Sequence, residues 1–465
     1  MRETLVKTEE FEDSPVEKIP KDWEIVSLRN EINILHGYAF KGEYFADEPP
    51  GNVLLVPGNF HRDGGLYFDD NNTKYYRGSI PDGTILENGE LLIVMTDLSP
   101  RTLILGRVVL LELPFRVLHN QRIGKIVLKL PNTWDKRFLL LVMNSDTVRR
   151  NIISNATGTT VRHTSRDRII ANVVPKPPVV EEQSKIADIL DTIDATIAHT
   201  SSLIAKLKQM KAGLLHDLLT RGLDENGELR DAIGHPEQFQ DSPLGQIPQD
   251  WDVPHLTKEI DIVHGYAFKG EYFADSPPGD VLLVPGNFHR EGGLYFDENN
   301  TKYYRGEIPE ITVLDNGELL IVMTDLSPRT LILGRVVQLQ LPFQVLHNQR
   351  IGKIVPKLPD TWDKRFLMLV MNSDRVRRNI ISNATGTTVR HTSPDRIMAN
   401  IILKPNIKEQ SRIVEIIDTY DTRIRAEEAY RDKLKLQKKG LMHDLLTGKV
   451  RVKDADKFTP ASDTV

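Results

Sequence analysis

Residues 36–172 of this chain are written a second time at residues 264–400, without a gap and with only 18 differences over 137 aligned positions. The copy opens with His36-Gly37-Tyr38-Ala39-Phe40 and returns as His264-Gly265-Tyr266-Ala267-Phe268, a shift of 228. A repeat this long is a whole domain rather than a motif, so two equal domains follow. The length of 465 residues agrees, being too great for one hydrophobic core. The likeness establishes shared structure; it does not by itself single out functional residues.

The repeat extends outward in both directions. Phe11 to Trp23 (FEDSPVEKIPKDW) returns at Phe239 to Trp251 (FQDSPLGQIPQDW), and EEQSKIADILDTID returns as KEQSRIVEIIDTYD, now shifted by 227. Each unit is therefore a Ser-Pro and Ile-Pro entry, a globular domain, a proline-marked exit at Pro175, Pro177 and Pro178 or at Pro405, and a helix. Within the first helix Ile186, Leu190, Ile193, Ile197, Thr200, Ile204 and Leu207 alternate steps of four and three, and Ile413, Ile417, Ile424, Leu434 and Leu441 fall in the same register in the second. That is the a/d seam of a coiled coil. Gly222 and Gly448 stand at the expected C-terminal stops. Two such rods packed antiparallel within one chain would hold a domain at each end, related by an approximate two-fold axis. Dimerisation with a second copy is the plainer alternative.

Inside the first domain the apolar runs Val53–Val56, Leu91–Thr96, Leu103–Leu111 and Lys125–Leu130 read as strands separated by Gly, Asn and Pro turns. Asp135–Ser154 reads as one helix, with Phe138, Val142, Ser145, Val148 and Ile152 along a face. The fold class expected is α+β, two near-identical mixed domains separated by two long antiparallel coiled-coil helices.

Composition removes several kinds of chemistry. The absence of cysteine excludes disulfides, thiolate metal sites and cysteine nucleophiles, and suits a reducing cytoplasm. No apolar run approaches the roughly 20 residues of a membrane span, and the N-terminus lacks an export signal's apolar core. There is no GxxxxGK[ST], no dinucleotide or adenosylmethionine loop and no GxSxG elbow, so no catalytic residue is assigned. His61 and His163 lack any metal-ligand pairing, and no metal is expected.

Charge supplies the pointer to a ligand. Net charge is −5 overall, but residues 36–114 hold 6 Lys/Arg against 11 Asp/Glu, whereas residues 115–170 hold 11 against 3. The second copy divides alike, with 6 against 11 over 264–342 and 10 against 4 over 343–398. A basic lobe in each domain suits phosphate contacts; a solvated, salt-bridged helix face, at Arg149 and Arg150 above all, would look the same. In the loop Val56–Gly78, Asn59, His61, Arg62, Lys74 and Arg77 have the chemistry to meet base edges and phosphates, and Asn287, His289, Arg290, Lys302 and Arg305 are their copies. Arg101, Asn120 and Arg122, with Arg329, Asn348 and Arg350, join them. So do Thr159, Arg162 and His163 of the Gly-containing segment Ala156–Arg168, with Thr387, Arg390 and His391.

Two domains, each entered by Ile-Pro-x-x-Trp and left through a proline-marked Glu-Gln helix, resemble the specificity subunit of type I DNA restriction-modification systems. The resemblance covers nearly the whole chain: SPVEKIPKDW and SPLGQIPQDW, the repeated GTTVRHTS, EEQSKIADIL and KEQSRIVEII, and LLTRGLDENGELRD before the second domain. It implies target recognition domains at 14–177 and 242–405, helical spacers at 178–222 and 406–448, a linker at 223–241, an N-terminal extension at 1–13 and a tail at 449–465. It further implies a chain that reads double-stranded DNA without catalysing anything. Two modification subunits would bring S-adenosylmethionine and methylate adenine, and a motor-nuclease subunit would bring ATP and Mg. Because the two domains are near copies, unlike the usual member, an interrupted palindrome is the expected site. A two-headed scaffold gripping a protein or other acidic ligand shares the pattern and needs no DNA.

Overall fold

The computed structural model describes residues 3–454, except residues 9, 16, 17 and 100. It forms two compact units, Met1–Ser202 with Glu428–Val465, and Leu203–Glu427. Both long helices are thus divided between units, where the sequence reading makes them separate spacers.

In the first unit a four-stranded antiparallel sheet runs in the order Val108–Leu110, Leu91–Val94, Ile123–Leu128, Ile32–His36. Beside it a five-stranded sheet orders Phe45–Ala46, Lys74–Tyr76, Asn52–Leu55, Val117–His119 and Ile85–Leu86, with one parallel pair between Asn52–Leu55 and Val117–His119. The strand Leu91–Val94 shows how sequence makes this layering. Leu91 and Ile93 enter the core under the helices, while Leu92 and Val94 enter the core of the second sheet. A period of two feeding two apolar layers requires four successive buried residues, and all four are buried. The second unit has the same strand order, with Leu319–Val322 in the same position.

The expected helix Asp135–Ser154 is two helices, Lys136–Met143 and Asp146–Ser154. Asn144 breaks it: its side chain accepts from Val108 N at 3.1 Å and donates to Val108 O at 2.8 Å, tying the helix end to the sheet. Ser145 then caps the next helix by accepting from Val148 N. The expected strand Leu103–Leu111 shortens to Val108–Leu110, because residues 103–105 are drawn into a loop described below.

The long helices are Val180–Thr220 and Ile407–Leu446. In the first unit Ile186, Ala187 and Leu190 of one share a core with Leu441, Met442, Leu445 and Leu446 of the other. In the second unit Leu214, Leu218 and Leu219 meet Ile413, Val414 and Ile417, and Ile204 and Leu207 meet Ile424. In each unit, then, the start of one helix lies against the end of the other. Ile193, Ile197 and Leu434 of the seam are half-buried. The Glu-Gln motif locks each helix to its domain: Gln183, fully buried, accepts from Asp135 N at 2.9 Å and donates to Thr133 O and Pro177 O, and Gln410 repeats this with Asp363, Thr361 and Pro405.

A buried ion pair secures the same region. Lys176 Nζ lies 2.9 Å from Glu31 Oε2 and 4.8 Å from the centre of the Trp134 ring, whose Nε1 donates to the same oxygen at 2.7 Å. Lys404, Glu259 and Trp362 form the equivalent group. Residues 450–454, expected as tail, form a strand that pairs antiparallel with Glu3–Lys7, Leu5 opposite Val452; residues 455–465 lie outside the described residues. Arg451 binds Asp22 at 2.8 Å and Glu182, as Arg230 binds Asp250 at 3.1 Å and Glu409 at 2.8 Å in the second unit.

Candidate nucleic-acid interface

The loops that carry most of the candidates meet at the end of the strand Leu91–Val94. Met95 N donates to Arg122 O at 2.9 Å and Met95 O accepts from Thr164 N at 3.0 Å, which joins the turn at 120–122 to the segment at 157–164. Thr96–Asp97 pairs with Arg162–His163, and Thr96 Oγ1 lies 3.1 Å from His163 Nδ1. Asp97, 1% exposed, accepts from the backbone N–H groups of Ser99, Ile104 and Leu105 at 2.7, 2.8 and 3.2 Å. One carboxylate satisfying three amides fixes the loop that presents Arg101. Thr102 takes φ +49 within it, and Thr330 repeats that conformation at +50.

The 157–163 loop is braced from below. Thr157 and His163 exchange two backbone hydrogen bonds, and Arg162 donates to Ile153 O and Ala156 O. Gly158 sits at φ +92, where a Cβ would fall 2.0 Å from Val161 O, so glycine is required. Arg107 donates to Arg62 O and so ties in the 61–65 turn. Burial, and the neighbouring charge of Arg149, bring the Arg107 guanidinium down to about 10, and burial also lowers Arg149; Arg107 stays charged at neutral pH. Burial holds the His119 imidazole low against the opposing hydrogen bond to Ile123 O, so this ring is a neutral internal brace.

The structure sorts the candidates. Asn59 and Asn287 are fully buried; Asn59 accepts from Val56 N and donates to Asn72 O, and Asn287 does the same with Val284 and Asn300. Asn120 and Asn348 are also buried, accepting from Arg122 N and Arg350 N. These four shape loops and are withdrawn as surface contacts. Lys74 and Lys302 pair with Asp47 and Asp275, and Arg77 and Arg305 donate to backbone oxygens at Pro50 and Glu48 or Pro278 and Ser276. Their donors hold a neighbouring loop, as those of Arg162 and Arg390 do. His61 and His289 accept from Asp63 N and Glu291 N, and Arg62 and Arg290 face Asp63 and Glu291. Arg101, Arg122 and Thr159, with Arg329, Arg350 and Thr387, are exposed and their side chains have no partner among the described residues. His163 and His391 are exposed at the same place.

Two residue pairs were missed: Tyr38 with Tyr266, and Gln121 with Gln349, all exposed beside this turn. The string HNQR contained the signal, but which of its side chains faces outward is decided by the turn. Among the described residues no group of three or more His, Asp or Glu could hold a metal, and no helix is long and apolar enough to cross a membrane.

The family model of the type I restriction modification DNA specificity domain matches residues 20–209. The chain thus resembles the type I restriction-modification specificity subunits, through this model over its first part and through curated relatives along its length. It is similar along its length to the MjaVIII specificity subunit of Methanocaldococcus jannaschii, 24% identical over 456 residues that cover 96% of this chain and 97% of that one. It is 28% identical over 246 residues to the EcoBI specificity subunit of Escherichia coli, covering 52% and 47%. A solved specificity subunit from M. genitalium shares the fold at TM-score 0.51 and 14% identity, over 91% of this chain and 96% of that one. A chain from a structure of type I complex assembly and conformational transition shares it at TM-score 0.56 and 13% identity, over 93% and 99%.

Proposed function

We propose that this chain reads a bipartite duplex site, one half with each unit, and directs adenine methylation and restriction carried out by partner subunits. The observation that supports it is the recurrence of one loop group in both units: unpartnered, exposed Arg101, Arg122 and Thr159 in one, Arg329, Arg350 and Thr387 in the other, each over internally braced loops. Unpaired arginines contribute affinity through phosphates and register, and polar side chains on fixed loops select bases. Equal loops imply equal half-sites on opposite strands, hence an interrupted palindrome whose half-site centres lie about one helical turn apart, roughly 34–36 Å. In this reading the two long helices are the spacer and the docking site for two modification subunits. S-adenosylmethionine, ATP and Mg then belong to those subunits and to a motor-nuclease, and the assembly works in the cytoplasm.

The test is to express the chain with its modification subunits and map methylated adenines in host DNA by single-molecule sequencing. A two-part palindromic motif that disappears with this chain is expected. Recovery of an asymmetric motif refutes the symmetry, and methylation indifferent to the chain favours the two-headed scaffold.

A further inference from the structure

Within each unit one turn is built unlike its neighbours. Residues 120–122 are fastened through almost every backbone group: Gln121 N donates to Tyr38 O at 3.0 Å, Tyr38 N to His119 O at 2.8 Å, Ile123 N to Asn120 O at 3.0 Å, and Met95 N to Arg122 O. Asn120 closes the turn from inside by accepting from Arg122 N at 3.0 Å. Gly37 allows this packing, since a Cβ there would stand 2.3 Å from Asn120 O. The whole arrangement recurs at Tyr266, Gln349 and Arg350, with Gly265 against Asn348 O.

The outward side of this rigid turn is chemically specific. Gln121 and Arg122 are adjacent and exposed, and neither side chain has an internal hydrogen bond or ion pair among the described residues. Tyr38 stands alongside, 44% exposed, its ring backed edge-on by Phe40 at 5.1 Å. A glutamine amide presents one donor and one acceptor, the pattern matched by N7 and the amino group of adenine. A guanidinium presents two donors, matched by O6 and N7 of guanine. Phosphate binding needs charge but no such matched fork, and an exposed arginine such as Arg101 suffices for it.

The geometry points to the Tyr38–Gln121–Arg122 turn, and its copy Tyr266–Gln349–Arg350, as the base-reading element of each half-site, Gln121 specifying an adenine and Arg122 a neighbouring guanine in the major groove. Tyr38 supplies the apolar face that flanks them. This rests on the DNA-reading function proposed above and deepens it by assigning the bases.

The variants are Gln121→Glu with Gln349→Glu, and Arg122→Ala with Arg350→Ala, made in the full chain, expressed with its modification subunits and checked for wild-type thermal unfolding. The readout is the methylation motif in host DNA. Glutamate accepts but cannot donate through its carboxylate, so the first pair should exchange one adenine for a cytosine in each half-site. The second pair should relax one guanine in each half-site, lowering discrimination there about 5- to 150-fold. Gln121→Glu alone should alter one half of the motif, leaving the other as an internal control of folding and assembly. Motifs unchanged in all variants overturn the inference while leaving the DNA-reading function intact. A wild-type chain that directs no motif overturns both.

Discussion

Replacing Lys176 by methionine tests how the domain is held to its exit strand. Lys176 and Glu31 have side chains only 7% and 10% exposed, and the ammonium also lies over the Trp134 ring. Methionine keeps the stem and removes the charge, leaving Glu31 buried with Trp134 Nε1 as its remaining side-chain donor. Breaking one side of a buried pair costs about 3–5 kcal/mol. At about 2–4 °C per kcal/mol for a unit of this size, Tm should fall by about 6–20 °C. Burial alone would raise the Glu31 carboxyl, but hydrogen bonds from Lys176 and Trp134 and the Lys176 charge outweigh it, and the net shift is downward from 4.5. A depressed carboxyl stabilises above its unfolded pKa, and that contribution is lost as pH falls through the folded value. In Lys176→Met burial is less opposed, the carboxyl titrates higher, and protonation relieves the defect. The gap between wild type and variant should therefore narrow as pH falls from 7 to below 4.5. Calorimetry across that range, with Lys176→Met/Glu31→Gln recovering part of the loss, is the assay. A loss under about 1 kcal/mol at pH 7, or one independent of pH, refutes the reasoning.

Arg451→Ala removes the ties to Asp22 and Glu182, and hydrogen exchange of residues 3–7 and 450–454 should accelerate more than tenfold, about 1.4 kcal/mol of local opening. Asp97→Ala leaves three amides, that of Leu105 buried and those of Ser99 and Ile104 half-buried, without their acceptor and should cost about 3 kcal/mol in chemical denaturation, with Asp325→Ala costing the same. Arg101→Ala should weaken binding to all duplex sequences alike and reduce the slope of log K against log salt by about 1, measured between 50 and 200 mM salt on the assembled complex.

Much of this molecule was legible in the chain because its signals are local or repeated. The long helices follow from steps of three and four, and the strand Leu91–Val94 from a run of apolar residues. Where two local signals competed, the reading failed. The 136–154 pattern is continuous by periodicity, yet Asn144 prefers the backbone of Val108, 36 residues away, and Ser145 caps a new helix. Asn59 and Asn120 carry readable chemistry, but neighbouring backbone groups claimed it first. Gln121, one position on, was left free, which no composition or spacing argument distinguishes.

The duplication, the α+β class and the family resemblance are properties of the linear order, because a 228-residue shift and heptad spacing need no partner outside the string. Tertiary structure alone decided which polar side chains remain for a ligand, since each buried N–H and C=O takes the nearest partner in space rather than in sequence. It likewise decided that the strand Val450–Asp454 finds Glu3–Lys7, and that Arg451 at one end of the chain does for Asp22 and Glu182 what Arg230 does for Asp250 and Glu409 in mid-chain. A buried carboxylate needs a counter-charge wherever the chain can deliver one.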